Sequence, residues 1–205
     1  CVAWVLSGIL GLVLGIVAGY FKDRLPDRLI RGYALLLAST PAFWIGLLLL
    51  MIFAVWLGWL PFGMNLPAGM TAAEAGIGVR IRHLLLPALT LGLTGVANIT
   101  LHTREKMIAI MESDYVLFAR ARGESSGYIV KRHALRNLVL PAITLQFGSI
   151  SEIFGGSVLV EQVFSYPGLG QAAIDAGLGS DVSLLLAITV ISTLFVFLGN
   201  LVANV

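Results

Sequence analysis

Long apolar runs separated by short polar segments dominate this sequence. Five windows, each with few charges, hold about 20 or more mostly apolar residues, at residues 1–21, 33–60, 84–103, 138–164 and 182–205. A helix that crosses a bilayer needs about 20 such residues, whereas the strands of a membrane barrel are shorter and alternate in polarity. The pattern therefore predicts an all-α integral membrane protein, with five spans in a single transmembrane domain over residues 1–205.

The second window contains Pro41, which cannot continue the helical hydrogen bonding. This window is also longer than a span requires, so we expect a tilt or a kink there.

The overall composition supports a membrane protein and excludes several other classes. The chain is 58% hydrophobic and 12% charged, with a mean hydropathy of +0.94, whereas soluble domains carry about 25% charged residues. A soluble enzyme and a disordered chain are therefore excluded. The net charge of +2 gives no support to a nucleic-acid partner. The single cysteine, Cys1, allows neither an internal disulfide nor a cysteine metal cluster.

The basic residues lie mainly in two connecting segments. Residues 22–32 hold four and residues 104–137 hold seven of the 13 Lys and Arg residues, whereas residues 61–83 hold two and residues 165–181 none. The positive-inside rule therefore predicts that both basic segments are cytoplasmic. This orientation puts the N-terminus outside without a recognisable signal peptide. We therefore expect an upstream helix and six spans in the full protein.

The longer basic segment predicts a helix that ends at a glycine. The stretch ESDYVLFARAR covers residues 112–122, and helical spacing relates four of its residues, namely Tyr115, Phe118, Ala119 and Arg122. Ser113 and Asp114 are candidate N-caps. Gly123 then interrupts the helix.

A second helix should follow this glycine. Ser125 or Ser126 can cap it, and it should run toward Pro141 and into the fourth window. The small residues beside the bend would let another surface approach the backbone, and Tyr115 and Phe118 offer side chains for a partner's groove. The alternative is an amphipathic helix resting on anionic headgroups. Its contacts would be Arg120, Arg122, Lys131 and Arg132. Both can be true of different faces.

The order of motifs resembles that of the B-type permeases of the dipeptide, oligopeptide and nickel uptake group. The stretches DYVLFARARG and RHALRNLVLPAIT are similar to the cytoplasmic EAA-type loop of binding-protein-dependent ABC-transporter permeases. Five further stretches agree, namely AGYFKDRLPDRLIR, STPAFWIGLLLL, LGWLPFGM, LLLPALTLGL and VLVEQVFSYPGLG. The similarity covers essentially the whole chain and implies the MetI-like fold of ABC importer permeases.

The chain departs from the family pattern at several positions. Leu117 and Phe118 stand where the general EAA pattern has its glutamate and first alanine, while Ala119 and Gly123 match it. Ser180 stands where the family usually has arginine, and Asn204 where it has aspartate.

The resemblance implies a transport subunit that works with other chains. Its partners would be a second, C-type permease, two cytoplasmic ABC ATPases and an extracytoplasmic solute-binding protein, in a bacterial or archaeal plasma membrane. The chain itself would be no enzyme and bind no cofactor or metal, while the ATPases would use ATP and Mg. It lacks a GxxxxGK[ST] sequence, the motif with which many ATPases bind nucleotide phosphates.

The residues expected to couple to an ATPase are Tyr115, Phe118, Ala119, Arg120, Ala121, Arg122, Gly123 and Ser126. Dipeptides, oligopeptides, nickel chelates and glutathione all remain candidate solutes.

Polar residues within the apolar windows are candidates for the solute path. Glu152 lies eleven residues after Pro141, about 16 Å into the membrane. A charge there costs about 2.5–3.5 kcal/mol, so it should face the bundle interior or a hydrated cavity and could bind a cationic group. The alternative is a protonated or structurally hydrogen-bonded carboxyl. Asn98 and His102 are weaker candidates, since such residues often link helices.

The motif SYPGLG, residues 165–170, should form a turn at the outer end of the fourth span. With Glu161 it is a candidate outer gate, and QAAIDAG could follow as a short helix across the outer mouth. The gate residues are Glu161, Pro167, Gly168 and Gly170. A purely structural re-entrant turn is an equal alternative.

Two rival functions share the same hydropathy. A stand-alone secondary transporter or channel would not need the basic helix, glycine and helix segment, and co-purification of an ATPase would distinguish it. An intramembrane serine hydrolase would need Ser149, Ser151 or Ser157 beside a histidine. No GxSxG sequence occurs, and the nearby histidines lie at the cytoplasmic boundary.

Overall fold

The structure is a computed structural model that describes residues 2–67, 69–71 and 74–203, except for the side chains of residues 152–155. These residues form helices and connecting loops, with no strand among them, so the predicted all-α fold is confirmed. The α-helices are α1 Val2–Tyr20, α2 Leu25–Ala38, α3 Ala42–Leu50, α4 Ile77–Met111, α5 Asp114–Ala121, α6 Ser126–Ile129, α7 Leu135–Gly148, α8 Ile150–Val163, α9 Leu169–Leu178 and α10 Val182–Ala203. A π-helical segment, Met51–Trp56, extends α3, and another, Val130–Ala134, joins α6 to α7.

Helices α1 and α4 pack along each other, and small residues let them approach closely. Gly11, Gly15 and Gly19 recur every four residues on one face of α1. A Cβ atom added at Gly15 would lie only 2.5 Å from the Cβ atom of Thr103. A Cβ atom added at Gly19 would likewise lie 2.5 Å from the Cβ atom of Met107. Only glycine therefore permits this contact, as in other membrane helix pairs with small residues at the interface.

The second apolar window, residues 33–60, was predicted as one span, and the structure divides it into α2 and α3. The two helices meet at an angle of 102°. The Thr40 hydroxyl donates to the Leu36 carbonyl at 2.7 Å. Pro41 is the N-cap residue of α3; it has an extended conformation and carries no N–H group that could continue the hydrogen bonding of α2. The predicted kink at Pro41 is thus confirmed. Helix α2 also begins at Leu25, inside the segment 22–32 that was expected to be a loop.

Within the described residues, three helices are long and apolar enough to cross a membrane on their own, namely α1, α4 and α10. The bent pair of α2 and the extended α3 passes the same test together and would be a fourth span. Helix α4 has 35 residues and extends well beyond the predicted window 84–103. This extension carries it into the segment 104–137.

The predicted fourth span, residues 138–164, is formed by the end of α7 and by α8, with a break at Ser149. The Ser149 hydroxyl donates to the Gln146 carbonyl at 2.8 Å, and the Ser151 hydroxyl donates to the Gly148 carbonyl at 3.2 Å. Each of α7 and α8 has 14 residues, fewer than the roughly 20 that one straight span requires.

Helix α7 is fixed to α1 by a reciprocal pair of hydrogen bonds. The indole Nε1 of Trp4 donates to the Gln146 carbonyl at 2.8 Å, and Nε2 of Gln146 donates to the Trp4 carbonyl at 2.5 Å. These two bonds join α7, which follows the basic segment 104–137, to α1.

Candidate functional site

The segment between α4 and α7 folds as the sequence predicts, as a helix, a glycine turn and a second helix. Ser113 is the N-cap residue of α5, and its carbonyl accepts the first backbone hydrogen bonds of that helix. Gly123 has φ +83°, a left-handed conformation that favours glycine. Ser125 caps α6, its hydroxyl accepting from the Tyr128 N–H at 3.4 Å. The second helix continues through Pro141 to Gly148, as expected.

A small apolar cluster fixes α5 against the rest of this segment. Val116, Ala119 and Ile129 are buried together, and Ile110 and Met111 at the end of α4 pack against them. The orientation of α5 is therefore coupled to the end of α4.

The predicted coupling residues divide into one buried and seven exposed positions. Ala119 is only 1% exposed, because it packs inside the cluster just described. The role of Ala119 in coupling to a partner stays a prediction. Phe118 is 72% exposed, and Tyr115 is also exposed. The remaining exposed positions are Arg120, Ala121, Arg122, Gly123 and Ser126.

An ion-pair network that the sequence reasoning missed stabilises the bend. Nη2 of Arg122 donates to Glu124 Oε1 at 2.7 Å, and Nε2 of His133 lies 3.1 Å from Glu124 Oε2. Although desolvation opposes ionisation, these two bonds hold the pKa of the Glu124 carboxyl below its usual value. The network links the turn to the π-helical segment that leads into α7.

A buried ion pair, also missed, ties α2 to α4. Arg104 donates from Nε to Asp27 Oδ1 at 2.5 Å and from Nη2 to Asp27 Oδ2 at 2.7 Å. The Asp23 backbone N–H adds a third bond to Asp27 Oδ2 at 2.8 Å. The Asp27 and Arg104 side chains are only 1% and 13% exposed. An acidic residue in the first turn of a helix and a cation at the end of an apolar window are the signals that could have indicated this pair.

A cavity of about 700 Å³ lies among α2, α3, α4, α7, α8 and α10. Its polar lining includes Thr94, Asn98, His102, Thr144, Ser149 and Asn200. The structure places Asn98 and His102 on this one cavity, and their part in a solute path stays a prediction. The His102 Nδ1–H group donates to the Asn98 carbonyl at 2.9 Å, which fixes the imidazole along its own helix.

Glu152 lies on α8, but its side chain is outside the described residues. Gly156, four residues later on the same helix, lines the cavity. Among the described residues, no group of three or more His, Cys, Asp or Glu side chains is arranged to hold a metal ion.

The predicted outer-gate residues form one compact turn. The Glu161 carboxylate accepts the Gln171 N–H group at 3.0 Å, in the first turn of α9. A Cβ atom at Gly168 would lie 2.2 Å from Glu161 Cδ, and one at Gly170 would lie 2.8 Å from Val158 Cα. Pro167 is exposed within the turn. The predicted short helix is confirmed as α9, and these contacts give Glu161 a structural role in holding it.

His83, near the start of α4, is a further buried polar residue that was not predicted from the sequence. Its ring is buried, and Nδ1–H donates to the Gly63 carbonyl at 2.8 Å. The Met64 N–H group in turn donates to the Phe164 carbonyl at 2.8 Å. The connection between α3 and α4 is thereby held against the ends of α4 and α8.

Comparison with known proteins gives a consistent set of relatives. Residues 11–205 match the family described as "Binding-protein-dependent transport system inner membrane component". The chain is 37% identical over 203 residues to the oligopeptide transport system permease protein AppB of Bacillus subtilis, covering 97% of this chain and 63% of the relative. It is 36% identical over 197 residues to the glutathione transport system permease protein GsiC of Escherichia coli K12, covering 96% of this chain and 60% of the relative. The chain thus spans less than two thirds of the length of these relatives.

Proposed function

The chain belongs to the family of binding-protein-dependent transport system inner membrane components, and from this premise we propose that it is the B-type permease subunit of an ATP-driven ABC importer. The observation that carries the proposal is α5, a short helix outside the apolar windows whose Phe118 side chain is 72% exposed. An aromatic residue that the chain's own fold leaves exposed is suited to a partner's pocket. We assign that pocket to a cytoplasmic ATPase.

The connections of α5 support a role in coupling. Helix α5 packs on the end of α4 through the cluster of Val116, Ala119 and Ile129, and Glu124 links the bend to the start of the helix that leads into α7. Movement of α5 by an ATPase would therefore act on the helices that line the cavity. In the proposed mechanism, closure of two ATPases on ATP and Mg²⁺ shifts α5 and exchanges inward-open and outward-open states. A second, C-type permease completes the transport path, and an extracytoplasmic binding protein delivers the solute near α9.

The solute is proposed to be a peptide or a related small molecule. Hydroxyl and amide groups line the cavity, and such groups can hydrogen bond with peptide N–H and C=O groups in a mostly apolar pocket. The relatives named for oligopeptide and glutathione transport support the same class. The chain's own part is to provide this path, while ATP hydrolysis belongs to the ATPases.

The test compares two exposed apolar residues, one on α5 and one at the end of α9. Phe118→Gln on α5 is expected to weaken ATPase association by about tenfold or more, since a buried aromatic anchor is typically worth about 2 kcal/mol. Glutamine is a good helix former, so α5 should persist. Leu178→Gln, at a position 83% exposed at the end of α9, is the matched control and should leave association unchanged.

Association is measured by co-purification of the ATPases with the full-length permease, and transport by ATP-dependent uptake. Normal association and uptake in the Phe118→Gln protein would reject α5 as the docking helix. Loss of ATPases in the control instead would place the contact at the other end of the chain.

A further inference from the structure

We propose that a pocket between α5 and the start of α7 binds the headgroup of an anionic phospholipid. The pocket has a volume of about 320 Å³ and is lined by Tyr115, Arg132, His133, Arg136 and Asn137. This is a lipid site separate from the solute cavity, and it does not depend on which solute is carried.

The chemistry of the lining suits a phosphodiester. Arg132 and Arg136 are exposed, and no carboxylate among the described residues lies within ion-pair distance of either guanidinium. Guanidinium groups bind phosphate oxygens through paired N–H donors. The Asn137 amide donates to the Tyr115 hydroxyl at 3.1 Å, which leaves the hydroxyl proton to be donated to a ligand. Two cations and a hydroxyl donor thus converge on one concave site.

Neighbouring groups hold the lining in place without neutralising it. The Arg132 guanidinium lies 5.7 Å from the centre of the Tyr128 ring, a cation–π arrangement that keeps the positive charge. His133 contacts the Glu124 carboxylate, which Arg122 also binds from the side of the bend. The acidic group beside the pocket is therefore already engaged by two partners.

An apolar stripe continues from the pocket along the same helix. Leu140 and Ile143 follow Arg136 by four and seven residues, so they share its face of α7, and both are exposed. They lie about 6 and 10 Å further along the helix axis, inside the apolar window 138–164. A lipid places its phosphate and its acyl chains in this order at the membrane interface. A soluble ATPase would not reach the apolar part of the stripe, and a free anion would not need it.

The experiment counts lipids on the assembled transporter. The complex of permeases and ATPases is purified in detergent from membranes containing phosphatidylglycerol, and retained phosphatidylglycerol is measured by native mass spectrometry. The double variant R132Q/R136Q is expected to reduce retention by about tenfold or more. The charge-matched control R28Q/R31Q changes two exposed arginines of the other basic segment and should retain lipid within about twofold of the unmodified complex. All four arginines are exposed, so neither variant should disturb folding, and elution of the intact complex verifies this.

A second arm separates lipid from free phosphate. Millimolar inorganic phosphate should leave phosphatidylglycerol bound, because phosphate lacks the acyl chains that contact Leu140 and Ile143; displacement would mean a general anion site and would overturn the proposal. Unchanged retention in R132Q/R136Q, or an equal loss in the control, would also overturn it. Loss of the ATPases or of the second permease from the double variant would reassign the pocket to a protein interface.

Discussion

The Asp27 and Arg104 side chains make a two-point contact inside the protein, where desolvation opposes each charge on its own. An isolated charge at such a site is costly, while a paired charge with additional hydrogen bonds is tolerated. The third bond, from the Asp23 N–H group, completes the environment of the Asp27 carboxylate. Because Arg104 lies on α4 only a few turns before α5, the pair fixes α2 to the helix that carries the proposed coupling element.

Asp27→Asn is therefore expected to destabilise the full-length protein by about 3–5 kcal/mol, because it leaves the Arg104 charge buried without its partner. The measurement is chemical unfolding of the purified protein in detergent. The double variant Asp27→Asn with Arg104→Gln removes the unpaired charge and should recover part of the loss. Glu112→Gln, which breaks the exposed ion pair with Lys22, is the control and should change little. Equal stability of Asp27→Asn and the unmodified protein would contradict this account.

The charges of residues 22–32 and 104–137 predict the orientation of the chain, but the number of charges in a segment does not show which of them form ion pairs. Asp27 and Arg104 are 77 positions apart, so only the packing of α2 on α4 brings them together. The burial of Ala119 depends in the same way on packing, because Ile129 and Val116 cover its side chain, and its part in coupling stays a prediction.

At the scale of elements, helix boundaries followed local chemistry and were largely predictable. Proline at position 41, glycine at position 123 and serine at position 125 each act within one turn, and the structure bends or caps helices at all three. The break at Ser149 was missed because the apolar run continues through it. The hydropathy of a segment indicates whether it lies in lipid or in water, but it does not indicate whether its helix is continuous.

The close packing of α1 on α4 gives a test at this scale. Gly15→Ala would place a Cβ atom 2.8 Å from the Thr100 carbonyl oxygen as well as against Thr103, so the backbones must move apart. We expect a loss of stability of about 1–3 kcal/mol, typical of overpacking. Gly32→Ala on α2 is the matched control, because nothing lies within 4 Å of its added Cβ atom. It should be neutral or slightly stabilising, since alanine favours a helix.

Thermal unfolding of both full-length variants in the same detergent provides the comparison. A Gly15→Ala protein as stable as the Gly32→Ala protein would mean that α1 and α4 do not approach as closely as described. The every-fourth-residue pattern of small residues in α1 was available in the sequence and would have identified this interface.

At the scale of the whole molecule, the distribution of charge predicts an orientation that the helices alone do not specify. Seven of the 13 Lys and Arg residues lie in residues 104–137, and none lies in residues 165–181. The structure places these two segments on different elements, with α5 after the end of α4 and α9 between α8 and α10. The positive-inside rule therefore predicts that α5 faces the cytoplasm and α9 the opposite side.

This orientation can be tested with two exposed cysteines in a full-length protein freed of other cysteines. A membrane-impermeant maleimide applied to intact cells should label Leu178→Cys on α9 and leave Arg120→Cys on α5 unlabelled. Both positions are exposed in this chain, and both should react once the membrane is opened and the protein is denatured, which removes protection by a docked ATPase as an explanation of a difference. Labelling of Arg120→Cys in intact cells would place α5 outside, where no ATP-driven partner could reach it, and would overturn the proposed coupling together with the orientation. Labelling of Leu178→Cys alone would leave α5 as the surface available to a cytoplasmic ATPase.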